Sequence, residues 1–560
     1  MTKLLFTNKA TDKNTYVDVG KYTHGAGVGA KSRHVRSVLK RKATLTSYPE
    51  EIIFKLSQFG YEVYATRKDA FGGHSVAISE DGQIIALGAR IDEGVDSSGN
   101  PINNGAVFAF EYRTPSAAEW SGTASNNPII GKGDDDGKSY GAAGAAFKKY
   151  WVQLGNRYDM QGTVSSTGVG SEFGAVIDMT DDGSMIAVGA PRSHILDASG
   201  VQQQNAGKVY YYKYNTTTKR WDKQSTIIEG DGAGEYEGYD IKLTGDGDTI
   251  IVGAVLAENP SFITTGRVRV YTYRQVSAAE WSGAAANPTI QKGDDAGSFY
   301  SSVVNKKFWV QKGADLFGTL NSQFGFSVAL TNDGNTIIIG APNHDSSTGK
   351  TDIGRVVIYN WSGATWVQKA EIEENGLYKE INLGREVAIN HDGSIIAVTG
   401  YLEQPGVTPT FSTPAPKTFP AEGQGAVIMY EYKRHNGQRS NMQIIYGDNK
   451  GDNFGSAISF SKNNQVVIGA PQWWSSGSVG SGYAKIYKKE DGVWQEPDEI
   501  DGVSSDDSFG HAVAISGRGN RVIIGARFRD YTDPLGISSG TQQGSATVYN
   551  VVPLIKKNKP

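Results

Sequence analysis

The chain has 560 residues, 70 of them Gly, with 28 Tyr, 20 Phe, 10 Trp and no Cys, and its 55 Lys and Arg nearly balance 59 Asp and Glu. The missing cysteines exclude disulfides, thiolate metal sites and cysteine nucleophiles, and no apolar run approaches the roughly 18 residues of a membrane span. Abundant glycines and aromatics point to an all-β protein rich in turns.

The net charge of −4 hides an asymmetry: residues 1–45 carry +8, leaving −12 for the rest. The N-terminus has no continuous apolar core of the export type, so no export signal is expected. Within the basic arm, residues 1–50, the stretch GAGVGAKSRHVRSVLKRKAT predicts a short helix capped by Ser32. Val35, Val38, Leu39 and Lys42 share one side by three-and-four spacing. The cations Lys31, Arg33, Arg36, Lys40, Arg41 and Lys42 suit a tether to an acidic partner surface, the alternative being a solvated tail. One short basic segment argues little for nucleic acid.

Past the arm, Ile52–Tyr61 reads as a strand of the fourth-strand type, the alternative being an isolated N-terminal strand. Seven related segments then follow, starting at Phe71, Phe173, Glu237, Phe324, Leu383, Phe454 and Phe509. The fourth, FGFSVALTNDGNTIIIGAP, shows the pattern. Its first half alternates, as a strand with two different faces does. Its second half, Ile337-Ile338-Ile339-Gly340-Ala341, is continuously apolar, as a strand covered on both faces is. Asp333-Gly334 between them is a hairpin turn. A third strand follows each hairpin, from Ala106, Lys208, Arg267, Arg355, Ala426, Tyr483 and Ala546. A fourth is marked by Trp151, Trp221, Trp309, Trp366 and Trp494, and in the fifth unit by NMQII from Asn441. Four strands in each of seven units predict a seven-bladed β-propeller over residues 51–552. The last unit lacks a fourth strand, which Ile52–Tyr61 supplies by closing the ring. Residues 553–560 are a tail. Two similar insertions, from Ser116 and Ser277, decorate units 1 and 3, and their acidic GDDDG (133–137) reads as a solvated loop.

Phe-Gly opening five of the seven hairpins, with Glu237 and Leu383 replacing Phe in the others, and Gly-Ala-Pro closing the second, fourth and sixth resemble the FG-GAP repeat of integrin-α-type propellers, across residues 52–552. The resemblance implies adhesion and recognition. Calcium-binding members carry D-x-D-x-D-G between the first two strands, because Ca²⁺ takes six to eight oxygens. Here five turns hold at most two carboxylates each (Glu80 and Asp81, Asp181 and Asp182, Asp246 and Asp248, Asp333, Asp392), and the other two hold a cation instead, Lys462 and Arg518. No metal and no cofactor are therefore expected. Separately, Ala30–Ala43 resembles short basic segments of virion proteins of large algal DNA viruses and marine phages, implying a virion location.

None of the eight histidines lies in a metal-ligand motif, and no nucleophile elbow or phosphate loop appears. The chain therefore reads as a non-enzymatic virion surface protein. The propeller would recognise a host protein or glycan, and the arm would hold a capsid or neighbouring subunit. A cellular surface adhesin or lectin is the alternative, and a polysaccharide-active enzyme would need a carboxylate pair in a cleft. Loops between second and third strands are long and dissimilar, as binding faces on rigid scaffolds are. They offer Trp473, Trp474, Arg527, Arg529 and Tyr531 as contact residues.

Overall fold

The computed structural model describes residues 3–8, 13–18 and 54–553, apart from positions 66–69, 92, 96–100, 127, 157, 163–169, 198, 262, 284–288, 374–380, 401–422, 450, 473–479, 491, 496, 533–538 and 541. Each repeat folds as the antiparallel hairpin its pattern requires. In the fourth, Val328, Ala329 and Leu330 face Ile339, Ile338 and Ile337. The turn closes on itself: Thr331 Oγ1 and Asn335 N both donate to Asp333 Oδ1. The same role falls to Asp81, Asp182 and Asp246. These carboxylates are turn acceptors, which is why a lone Asp suffices where an ion would need several.

Third and fourth strands extend every hairpin into a blade. Blade 4 runs Val328–Leu330, Thr336–Ala341, Arg355–Trp361 and Trp366–Ile372 in spatial order. Blades 1, 2, 3, 5 and 6 repeat that order with local additions. The first strands of the seven blades touch in sequence and return from the seventh to the first, so they line one axis. Blade 7 is completed by the N-terminal strand Phe54–Gln58 against Ser545–Pro553, with Val63–Tyr64 pairing the same strand. The fold is a closed seven-bladed β-propeller, and residues Leu56–Val552 form one compact unit. Within the other unit, Lys3–Asn8 pairs with Lys13–Asp18 as a hairpin that the sequence reading did not foresee. The expected helix, with Lys31, Arg33, Arg36, Lys40, Arg41 and Lys42, lies outside the described residues.

The core lies between blades. Ala329, Ile338, Val356 and Ile358 of blade 4 pack with Val387, Ile396, Val398 and Ile428 of blade 5, and equivalent clusters fill the other interfaces. Second strands are thus sandwiched on both faces, which accounts for their unbroken apolar runs. The outer edges are fastened by the fourth-strand tryptophans. Trp151, Trp221 and Trp366 donate Nε1 to the carbonyls of Phe59, Leu154 and Lys312 on the preceding blade.

The repeat's glycines serve the same interfaces. A Cβ on Gly340 would collide with the carbonyl of Gly384 on the next blade, and Gly384 itself sits at φ 93°. Gly88, Gly189, Gly253, Gly469 and Gly525 meet the matching carbonyl of their neighbours in the same way. Gly340→Ala is therefore expected to cost about 1–3 kcal/mol by forcing two blades apart, read as a lower denaturant midpoint. An unchanged midpoint would remove this account of the motif. Blade 5 carries Thr399 instead, and its Oγ1 accepts from Glu386 N at 3.0 Å.

Two expectations need correction. In blade 1 the positive-φ glycine that starts the first strand is Gly73, not Gly72: Gly72 pairs with Ala89 as Phe509 pairs with Ala526. Phe71 is displaced to the left-handed position before it (φ 53°) and meets Phe528 edge-on at 5.3 Å. The GDDDG segment is exposed at Asp134, Asp136 and Gly137, as a solvated loop is, but not throughout. Asp135 is buried and accepts from Lys138, Lys148 and Tyr150 at 3.0, 2.9 and 2.9 Å. These bonds anchor an insertion whose helix Ala117–Trp120 is held by a Ser116–Glu119 capping box. The second insertion repeats that box with Ser277 and Glu280.

Candidate binding site at the mouth of the axial channel

The residue after each positive-φ glycine faces the axis. Reading round the ring, these are His74, Ala175, Tyr239, Phe326, Arg385, Ser456 and His511, and all line one cavity of about 460 Å³. The second strands end at the same level, so Arg90 and Arg527, each following the last alanine of its strand, also line it. The mouth therefore opens on the face that carries the long second-to-third-strand loops.

Three features distinguish this mouth. His511 Nε2 stands 3.2 Å from His74 Nδ1, joining blades 7 and 1. Burial, reinforced by Arg90 and Arg527, pushes both imidazoles well below their usual range, so they are neutral at pH 7. The Tyr239 and Phe326 rings lie 5.1 Å apart at 48°, with Tyr239 37 % exposed, so aromatic surface faces the opening. Arginines from three blades converge here. Burial holds the Arg385 and Arg527 guanidiniums down to about 10, Arg90 adding like-charge repulsion at Arg527. Arg90 lies 3.3 Å from Glu172, which also holds Arg192 at 3.2 Å.

Deeper in the channel stand Asp178, Asp240, Glu386 and Lys242. Asp178 and Asp240 have a structural task, each pinning its own first strand to that of the next blade. Asp178 Oδ2 accepts from Leu243 N, and Asp240 Oδ2 from Val328 N, both at 2.7 Å. The other Asp240 oxygen accepts from Ile241 N at 2.9 Å. Burial raises all three carboxyls, Glu386 to about 8, while Lys242 draws them back. At the opposite end, Lys462 of blade 6 reaches Asp181 of blade 2 at 2.6 Å and Glu80 of blade 1 at 3.2 Å, bridging the axis.

Of the contact residues named from sequence, Arg527 reaches the cavity. Arg529 is committed to structure, bonding Asp507 and Ser504 at 2.8 Å and lying 3.5 Å from Glu62. Tyr531 is placed by a two-residue strand pairing with Ser539–Gly540. Trp473 and Trp474 lie outside the described residues. Sequence reasoning missed His74, Arg90, Tyr239, Phe326, Arg385 and His511. Their common signal was present: each occupies a fixed offset from a repeat glycine, yet its type changes from blade to blade.

Fold and site together define a propeller with a polar, arginine-rimmed axial mouth. No protein-family model and no curated protein matches the chain. Among the described residues, no helix is long and apolar enough to cross a membrane, and no three His, Asp or Glu side chains are grouped to hold a metal ion.

Proposed function

We propose that the protein is a non-enzymatic recognition and structural protein of the FG-GAP type, carried on the surface of a virus particle. The propeller engages a host protein or glycan, and the basic arm holds a capsid or neighbouring subunit. The observation that carries the recognition reading is the convergence of Arg90, Arg385, Arg527, Tyr239 and Phe326 on an open mouth at the loop-rich face. A rigid ring locked blade to blade is a scaffold suited to display. The channel carboxylates favour the non-enzymatic reading, because both oxygens of Asp240 are taken by backbone N–H groups. The virion assignment rests on the basic segment at Ala30–Ala43.

Deleting residues 1–45 is expected to leave a folded, host-binding propeller that no longer enters particles. Co-purification with virions measures this, and incorporation equal to that of the full chain would remove the tether role. A cellular adhesin or lectin would use the same mouth without the particle, and absence of the full-length protein from purified virions would favour it.

A further inference from the structure

The ring is sealed at the seam between blades 7 and 1, where the two ends of the propeller chain meet. Blade interfaces share an equivalent main-chain bond, from the N–H that opens a repeat to a carbonyl two residues before the previous blade's third strand. Between blades 3 and 4 it runs from Phe324 N to the Thr265 carbonyl at 3.1 Å. Between blades 7 and 1 it runs from Gly72 N to the Gln543 carbonyl at 2.7 Å. Two residues beyond Gly72 stands His74, and there the axis-facing positions of adjoining blades meet as two imidazoles. His511 Nε2 is 3.2 Å from His74 Nδ1, and the ring centroids are 4.8 Å apart. The other axis-facing positions hold Ala175, Tyr239, Phe326, Arg385 and Ser456, so no other interface has two imidazoles in this place.

The bond between the rings needs one nitrogen to donate and the other to accept. Two neutral rings satisfy it, and so does one protonated ring facing a neutral one. Two imidazoliums carry a proton on every nitrogen, which leaves two donors of like charge in contact. Burial, with Arg90 and Arg527, pushes both imidazoles well below their usual range. Arg90 is itself 3.3 Å from Glu172. Tyr239, Asp240, Lys242, Arg385 and Glu386 line the same cavity from other blades, and Asp178 stands on the adjoining first strand of blade 2. The shifts of the two rings trace to burial, to Arg90 and Arg527 and to each other, not to these groups.

We propose that the His74–His511 pair is an acid-sensitive latch: when both rings take up protons, the seam between blades 7 and 1 opens locally while the other interfaces stay closed. Histidines of an opened or unfolded chain titrate near their ordinary value of about 6.5. Below that pH the opened seam binds protons that the closed seam excludes. The latch is therefore at full strength above about pH 6.5 and weakens as pH falls. The raised carboxyls of Asp178, Asp240 and Glu386 act in the opposite sense, favouring the closed ring at lower pH. The histidine effect is accordingly read as a difference between seams and between variants.

The test is amide hydrogen exchange on the full chain at about pH 7.5 and about pH 5, either side of the ordinary histidine range, corrected for the pH dependence of chemical exchange. On acidification, protection at Gly72 is expected to fall about tenfold or more relative to protection at Phe324. In H74Q/H511Q, whose amides hydrogen-bond without titrating, the two positions should change in parallel. Equal change at Gly72 and Phe324 in the wild type overturns the proposal, and so does a differential loss that persists in H74Q/H511Q. Should that variant not fold, NMR of the wild-type imidazole protons decides. Proton uptake by both rings at the pH where Gly72 loses protection supports the latch, and loss of protection without that uptake overturns it.

Discussion

Replacing Arg267 with methionine is expected to destabilise the protein by about 3–5 kcal/mol, because it strips a buried carboxylate of its partner. Arg267 is 3 % exposed and bonds Asp231, Glu235 and Glu237 at 2.7, 2.9 and 2.8 Å. Glu237 is fully buried in blade 3, where four of the other blades place Phe173, Phe324, Phe454 and Phe509. Glu237, Ala254 and Arg267 lie in one row across the sheet, so the charge substituted in one strand is answered two strands away. Burial already pushes the Glu237 carboxyl up, with Arg267 pulling it down. Without Arg267 its folded-state pKa rises further above the unfolded value. The deficit should then be small at acid pH, where the group is protonated in both states, and grow as pH rises through the folded-state pKa. Blade 6 provides a control, with Phe454 stacked on Tyr483 at 6.3 Å and the Tyr483 hydroxyl donating to Asp452 at 2.8 Å. Glu235 stands where Asp452 does. The double substitution Glu237→Phe with Arg267→Tyr should recover most of the loss, since replacing a buried ion pair by well-packed groups is often neutral or stabilising. Denaturant unfolding of the three proteins decides it. A methionine variant as stable as wild type at neutral pH would show that Glu237 does not need its partner.

The second large effect concerns ring closure. Removing residues 1–65 deletes the strand that completes blade 7, whereas removing 1–45 does not. The longer truncation loses the Phe59 N bond to the Val548 carbonyl at 2.7 Å and the Trp151 Nε1 bond to the Phe59 carbonyl at 3.1 Å. It also removes the Phe59 ring from between Tyr112 and Trp151, at 4.2 and 6.0 Å, and Glu62 from Ser545 and Arg529. What remains is a long unpaired edge at Ser545–Pro553, a template for pairing with another chain. The expected outcome is a monomer for the shorter deletion and oligomers or aggregate for the longer one, measured by light scattering after size exclusion. A monomeric, cooperatively folding protein lacking residues 1–65 would mean that the ring does not depend on this strand.

The repeat made much of the fold legible, because seven copies of one pattern average out local ambiguity. Alternation, the Asp-Gly turn and the unbroken apolar second strand each report a local constraint that recurs. Where the constraint came from outside the immediate stretch of sequence, reading along the chain faltered. Phe71-Gly72 satisfies the pattern in letters, yet Gly73 holds the position, since the pairing of Gly72 with Ala89 sets the register. The buried anchor within the solvated GDDDG segment was missed because nothing nearby in sequence announces that Lys148 and Tyr150 fold back onto Asp135.

The site was the least legible part. His74 and His511 meet from opposite ends of the chain, and Arg90, Tyr239, Phe326, Arg385 and Arg527 come from five blades. Each is unremarked in its own repeat, because the axis-facing position is free to vary once the glycine before it is set. By itself the sequence determined the blade, its number and the means of closure, since hydrogen bonding and burial within a blade depend on neighbours close in the chain. Only the tertiary structure decided which side chains share the axial mouth, since closing the ring is what brings one residue from each blade within reach of the others.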